Sequence, residues 1–260
     1  MITAKPTKNL TGILIEGEFD DFYELVDCIY RMTGDNDDYH DPYWSIKNRL
    51  LGVCYDIRHA FQGDRTVRLV DNGVHDDLMQ WHSMVMPKQN VHYAVEILFP
   101  EAVFVALSIP DLYLTSGAYY GSRARNRKKK ESEYETVVYD YADYLKDQAM
   151  LNLFSSVVLS ALAKVIGDEE FEKIMRQKQQ YDTSYEHYVT QYVDKCNIEY
   201  MKTQPDKRKD KLRNIARRLA KKPGAYNNMQ RTLEAAAREY GCSIHELHDS
   251  RMDYPEEIEW

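Results

Sequence analysis

The apolar positions switch between two periods along the chain. Thr11-Gly12-Ile13-Leu14-Ile15-Glu16-Gly17 is a short apolar run bounded by turn residues, which predicts a strand. Ile2–Lys5 is placed to pair with it through the intervening turn. Phe22, Leu25, Val26 and Ile29 then follow the 3.6-residue spacing, predicting a helix capped by Asp20 or Asp21 and stopped by Gly34. A second helix, with Pro42 in its first turn, carries Ile46, Leu50, Val53, Ile57 and Phe61 and ends at Gly63. Thr66-Val67-Arg68-Leu69-Val70 alternates as a strand, with Asp71-Asn72-Gly73 as its turn. Another strand lies near Val91–Phe99, where Val91, Tyr93, Val95 and Ile97 share a face. Pro100 opens an apolar helix that Pro110 is expected to kink or end.

The second half reads differently. Residues 131–201 look helical, with breaks near Gly167-Asp168 and Asp182-Thr183, and residues 206–251 look like three shorter helices punctuated by Pro223-Gly224 and Gly241. The expected fold class is α+β: a domain over 1–122 with a small mixed or antiparallel sheet of three to five strands, a helical region over 131–201, and a basic trihelical unit over 202–260. The most apolar stretch, 149–166, contains Asn152, Ser155, Ser156, Ser160 and Lys164, and reads as a buried helix rather than a membrane span.

Several segments resemble an uncharacterised bacterial domain family: Lys5-Pro6-Thr7-Lys8, Asp20-Asp21-Phe22-Tyr23, Asn48-Arg49-Leu50-Leu51-Gly52, Cys54-Tyr55-Asp56-Ile57-Arg58-His59-Ala60, and residues 95–102. The resemblance covers roughly the first half. It implies a bacterial cytoplasmic setting and an α+β start, and supplies no catalytic residue.

Composition narrows the class. Among 260 residues, 43% are hydrophobic and 29% charged, as in ordinary globular chains. The four cysteines, Cys28, Cys54, Cys196 and Cys242, form neither a CxxC pair nor a dense framework, so a reducing cytosol is expected rather than a disulfide scaffold or structural zinc. The start of the chain lacks the apolar core of a signal peptide.

Charge is unevenly spread. The net charge of -8 hides a run of six basic groups in Arg123–Lys130, read as a solvated linker, and a segment, 202–251, with thirteen basic and six acidic side chains. Such a segment suits an anionic partner, or packing against the acidic remainder.

The chief functional motif is helix-turn-helix-like. Ala237 sits where two helices would cross, Gly241 at the turn and Leu247 at the apolar anchor. Lys207, Arg208, Lys211, Arg218 and Lys222 are candidate phosphate contacts, with His245 and Arg251 as base-side contacts. The first reading is therefore a nucleic-acid-associated protein without catalysis, with no cofactor. The alternative is a protein–protein interaction module or homo-oligomer, its basic unit docked on an acidic surface of itself or a partner. No membrane partner is expected. Tyr181, Tyr185, Tyr188 and Tyr192 form a helical stripe expected to pack inside.

Enzyme readings are weaker. His40 among Asp35, Asp37, Asp38 and Asp41, and His75 beside Asp76 and Asp77, are acidic loops without a recognised metal spacing. Arg68 with His75 and Arg238 with His245 carry a ribonuclease-like spacing, and Arg58-His59 lies near Asp56. No Walker A loop, GxGxxG or GxSxG is present.

Overall fold

The computed structural model describes residues 1–34, 40–121, 138–181, 183–247 and 252–260. The basic run Arg123–Lys130, the loop 35–39, Asp182 and Arg251 lie outside them.

Four antiparallel strands form one sheet in the order β1-β2-β4-β3: β1 (Thr3–Pro6), β2 (Gly12–Gly17), β3 (Thr66–Asp71) and β4 (Gln89–Leu98). The expected hairpin exists, with Ala4 opposite Ile15. Ile15 in turn lies opposite Val95. Ile13, Ile15, Val95 and Ile97 are buried on one face. The other face carries Glu16, which pairs with His92 at 3.0 Å and faces Arg68 and Lys5 at 3.6 Å each.

Helix α1 (Phe19–Thr33) starts at Glu18, ahead of the expected aspartate caps. Asp21 still serves the end, because its carboxylate accepts the Glu18 N–H at 3.0 Å. Gly34 ends the helix at φ +60°, where a Cβ would sit 2.5 Å from the Tyr119 ring. Helix α2 (Trp44–His59) buries Ile46, Leu50, Val53 and Ile57, the predicted stripe.

Helix α3 is short (Asp76–Trp81). In the next helix, the expected end at Pro110 does not occur. Helix α4 (Phe99–Ser116) passes through Pro110 and continues for six residues. Proline withholds the N–H that would bond to Ala106 O. The Ser155 hydroxyl donates to that carbonyl at 2.8 Å, so the orphaned acceptor is satisfied from a neighbouring helix. That neighbour is α5 (Tyr141–Ile166). Phe99–Tyr119 and Tyr141–Ile166 are long and apolar enough to cross a membrane by length and composition alone. Both feed the core: Phe104, Leu107 and Ile109 from one, Leu151, Phe154 and Val158 from the other.

Asp147 on α5 ties this layer to α1. Only 4% exposed, it accepts two bonds from Arg31 at 2.7 Å each and one from the Tyr120 hydroxyl at 2.7 Å. Replacing Asp147 by Ala leaves the Arg31 guanidinium and the Tyr120 hydroxyl without their acceptor. We expect a loss of about 3 kcal/mol or more, read as a lower midpoint in urea.

Helices α6 (Asp168–Gln180), α7 (Gln191–Met201), α8 (Arg208–Leu219) and α9 (Gly224–Tyr240) complete the described elements of regular helix. The break at Gly167-Asp168 stands. The tyrosine stripe does not form one helix, since the segment before Gln191 is a turn with His187 at φ +48°. Its interior members still pack as expected. Tyr185, Tyr188 and Tyr192 are fully buried, with Phe104 and Tyr226 against them, whereas Tyr181 is exposed. After α9, Gly241 adopts the left-handed conformation expected of the turn, at φ +64°. The chain then forms a three-residue 3-10 turn, Ile244–Glu246, rather than a third helix within the described residues.

Burial sets the thiols. It pushes Cys54 and Cys196 up to about 12, and pushes Cys28 up as well; all four cysteines are free. We expect one thiol per chain, that of the partly exposed Cys242, to react rapidly with a disulfide reagent at pH 8, and all four to react after denaturation.

Candidate functional site

The residues nominated for phosphate contact sit mainly against the protein itself. Arg208 is 6% exposed. Its guanidinium donates to Asn9 O at 2.7 Å, Thr11 Oγ1 at 2.6 Å and Thr203 O at 3.0 Å, so it fastens α8 to the β1–β2 turn. Lys211 and Arg218 both pair with Glu199 on α7, at 3.0 and 2.8 Å. Arg218 also donates to the Tyr192 hydroxyl at 2.8 Å. Burial opposes the Arg218 charge, but Glu199 and Tyr192 outweigh it and hold the guanidinium above its ordinary value. Burial likewise raises Glu199, yet its hydrogen bonds from Arg218 and Lys211 dominate and bring the carboxyl below 4.5.

The remaining nominees divide. Lys222 lies 5.7 Å from the Tyr188 and Tyr226 ring centres, and burial lowers its ammonium pKa. His245 packs on Trp44 with ring centres 4.5 Å apart; burial, then His187, lowers its pKa. Lys207 is exposed, and Arg251 lies outside the described residues. The structure thus brings Arg208, Lys211 and Arg218 together around α8, but as internal partners.

The enzyme candidates are dispersed. His59 pairs with Asp64 at 2.8 Å, His75 caps α3, and Arg68 projects from β3 toward Glu16. Among the described residues no group of three or more His, Cys, Asp or Glu is arranged to hold a metal ion.

A different surface stands out, and it lies at the sheet edge. Strand β3 is terminal in the sheet order. Val67 lies opposite Tyr93, and Leu69 opposite Val91. This is the same sheet face that is core at β2, yet Val67, Leu69 and Val91 are 50%, 65% and 43% exposed. A cluster of rings borders them: Phe19 meets Phe61 at 5.3 Å and Tyr23 at 5.8 Å, with Tyr93 at 6.5 Å. Trp81, Val85 and Met86, in the connection to β4, are exposed too. Contiguous apolar surface of this kind marks interaction sites.

Hydrogen-bond parity opens the same edge. The Asn72 N–H donates to Lys88 O at 3.1 Å, in register with Val70 opposite Asn90 and Arg68 opposite His92. Even-numbered residues therefore bond to β4, and Val67, Leu69 and Asp71 turn N–H and C=O toward the free edge. The alternation of Thr66–Val70 signalled the strand. Nothing in that alternation says whether a helix will cover its apolar side.

The amino-acid sequence matches a family described as a domain of unknown function, DUF6904, over residues 2–260. The chain belongs to that family. The match extends beyond the first half and takes in the helical region and α8 and α9. No solved structure matches the DUF6904 chain.

Proposed function

We propose that the protein is an interaction module that pairs with a second copy of itself through the open β3 edge. The observation that carries this reading is the exposed Val67–Leu69–Val91 face on a strand whose outer N–H and C=O groups have no neighbouring strand among the described residues. An antiparallel pairing of two β3 strands keeps like faces together only when paired residue numbers sum to an even value. Centred on Arg68, it sets Val67 of one copy opposite Leu69 of the other, and Arg65 opposite Asp71. Both contacts occur twice, as a two-fold interface requires. The two Arg68 side chains then meet across the axis, each facing its own Glu16.

The inward pairing of Arg208, Lys211 and Arg218 supports the same choice. It favours a basic unit docked on the acidic remainder of its own chain over one displayed to nucleic acid. The free thiols support a reducing, cytosolic setting within this proposal. Sedimentation velocity across a concentration series tests the reading. A reversible shift from about one chain mass to two is expected at micromolar protein, the ordinary range for a modest interface. A single monomeric boundary up to several hundred micromolar overturns it.

A further inference from the structure

We propose that residues 252–260 are an internal ligand, seated in a groove that takes an extended partner peptide with a tyrosine and a tryptophan six positions apart. The segment has no regular secondary structure, and none of its residues is fully buried. It is held near its two ends. At the first, the Tyr254 hydroxyl donates to Asp194 at 2.7 Å and accepts from the Asn197 amide at 3.1 Å. Both partners are fixed from behind: Asp194 accepts from Arg49 at 2.5 Å, and Asn197 donates to Glu101 at 2.9 Å. At the second, the Thr11 hydroxyl donates to Glu259 O and accepts from Arg208 at 2.6 Å. The Trp260 ring lies over Gly12, where a Cβ would come within 2.8 Å of it.

Between these anchors the segment spans the groove without filling it. Hollows of about 610 and 500 Å³ lie against it, and Tyr254 and Ile258 line both. A segment with so few buried contacts opens at a low free energy, well before the core does.

One wall of the larger hollow is an unfinished sheet. Pairing of β3 with β4 stops at Thr66 opposite Ala94, and β4 runs on to Leu98. The Phe99 N–H donates to Thr11 O at 3.2 Å, so odd-numbered residues of β4 bond toward β2. The N–H and C=O of Glu96 and the N–H of Leu98 therefore point to the side that β3 has left. Arg65, just before β3, lines the hollow together with residues 95–98, which places the hollow on that side. Those groups have no backbone partner among the described residues. An extended peptide is the ligand that can bond to such an edge while its rings take the two anchors.

Fluorescence anisotropy with a labelled, end-capped peptide of residues 252–260 tests this on the full chain. In Tyr254→Ala/Trp260→Ala the internal segment loses both side-chain anchors, while the groove keeps its own residues. Saturable binding to this variant is expected at about tens of micromolar. The wild type should bind about tenfold more weakly or less, because its own segment competes at high effective concentration. Tyr254→Phe removes one hydroxyl and should bind with intermediate affinity. Should the double variant unfold, Tyr254→Phe alone carries the comparison with the wild type. A peptide with alanine at both ring positions should bind about tenfold more weakly than the native peptide. No binding to the variants, equal affinity for variants and wild type, or equal binding of the alanine peptide would overturn the proposal.

Discussion

Leu69→Lys should convert the protein to a monomer without unfolding it. The side chain is 65% exposed in the single chain, so its replacement removes little internal packing. In the paired edge it lies opposite Val67 of the second copy. Each assembly contains two such contacts, so one substitution is felt twice. Losing that burial and bringing two ammonium groups to the interface should cost about 3 kcal/mol or more, a hundredfold or greater rise in the dissociation constant. Leu114→Lys is the control, because Leu114 is 73% exposed on α4, away from the sheet edge. It should leave the sedimentation profile unchanged. A Leu69→Lys variant that sediments like the wild type would remove the apolar face from the account.

Arg208→Ala should be the most destabilising change within the basic unit. The guanidinium supplies three hydrogen bonds: two join Asn9 and Thr11 to the start of α8, and the third goes to Thr203 O. Thr11 is itself buried and donates to Glu259 O, so the loss reaches a further segment. Removing the donor strands buried acceptors, worth about 3–4 kcal/mol, or a fall in Tm of about 10 °C for a chain of this size. Arg208→Lys should recover only part of this, because an ammonium cannot reproduce the planar fork. A substitution that weakened phosphate binding at unchanged Tm would instead restore the outward-facing reading of this residue.

The acid limb of stability should report the neighbouring cluster. The Glu199 carboxyl is held below 4.5 in the folded protein, so its contribution is present above that ordinary value and is lost as pH falls through the lowered one. Arg218→Gln should therefore flatten the pH dependence of the unfolding midpoint as pH falls through and below the ordinary carboxylate range, whereas Lys207→Gln should not.

Local pattern made most elements legible, and long-range pairing made the rest invisible. The spacing of Ile46, Leu50, Val53 and Ile57 predicts α2 and its buried stripe because both depend on one helix face. The four-stranded α+β arrangement follows from the same kind of signal. That α4 would run on past Pro110 was not legible, because the hydroxyl that bonds Ala106 O comes from Ser155, 49 residues away along the chain. The basic face of α8 looked outward for a comparable reason. Glu199 lies on α7, across a turn, and only its placement shows that Lys211 and Arg218 are already occupied. Val91 and Leu69 alternate like interior residues, yet they are exposed because the described helices cover the sheet at β2 and not at its β3 end. The Arg49 network escaped notice altogether: Arg49, Glu101, Asp194 and Asn197 come from three helices and match no short motif, although Arg49 and Glu101 fall within segments that carry the family resemblance.

Pairing of β3 with β3 of a second copy is tested most directly by a cross-link at the two-fold axis. Arg68 is the residue that meets itself there, at a non-hydrogen-bonded position where Cα atoms lie about 4.5 Å apart, within disulfide range. In a Cys242→Ser background, where the other thiols are buried, Arg68→Cys should form a covalent dimer on mild oxidation, and Val70→Cys, two residues along the same face, should not. An Arg68→Cys chain that stays monomeric under oxidation, or that cross-links no better than Val70→Cys, would contradict the account.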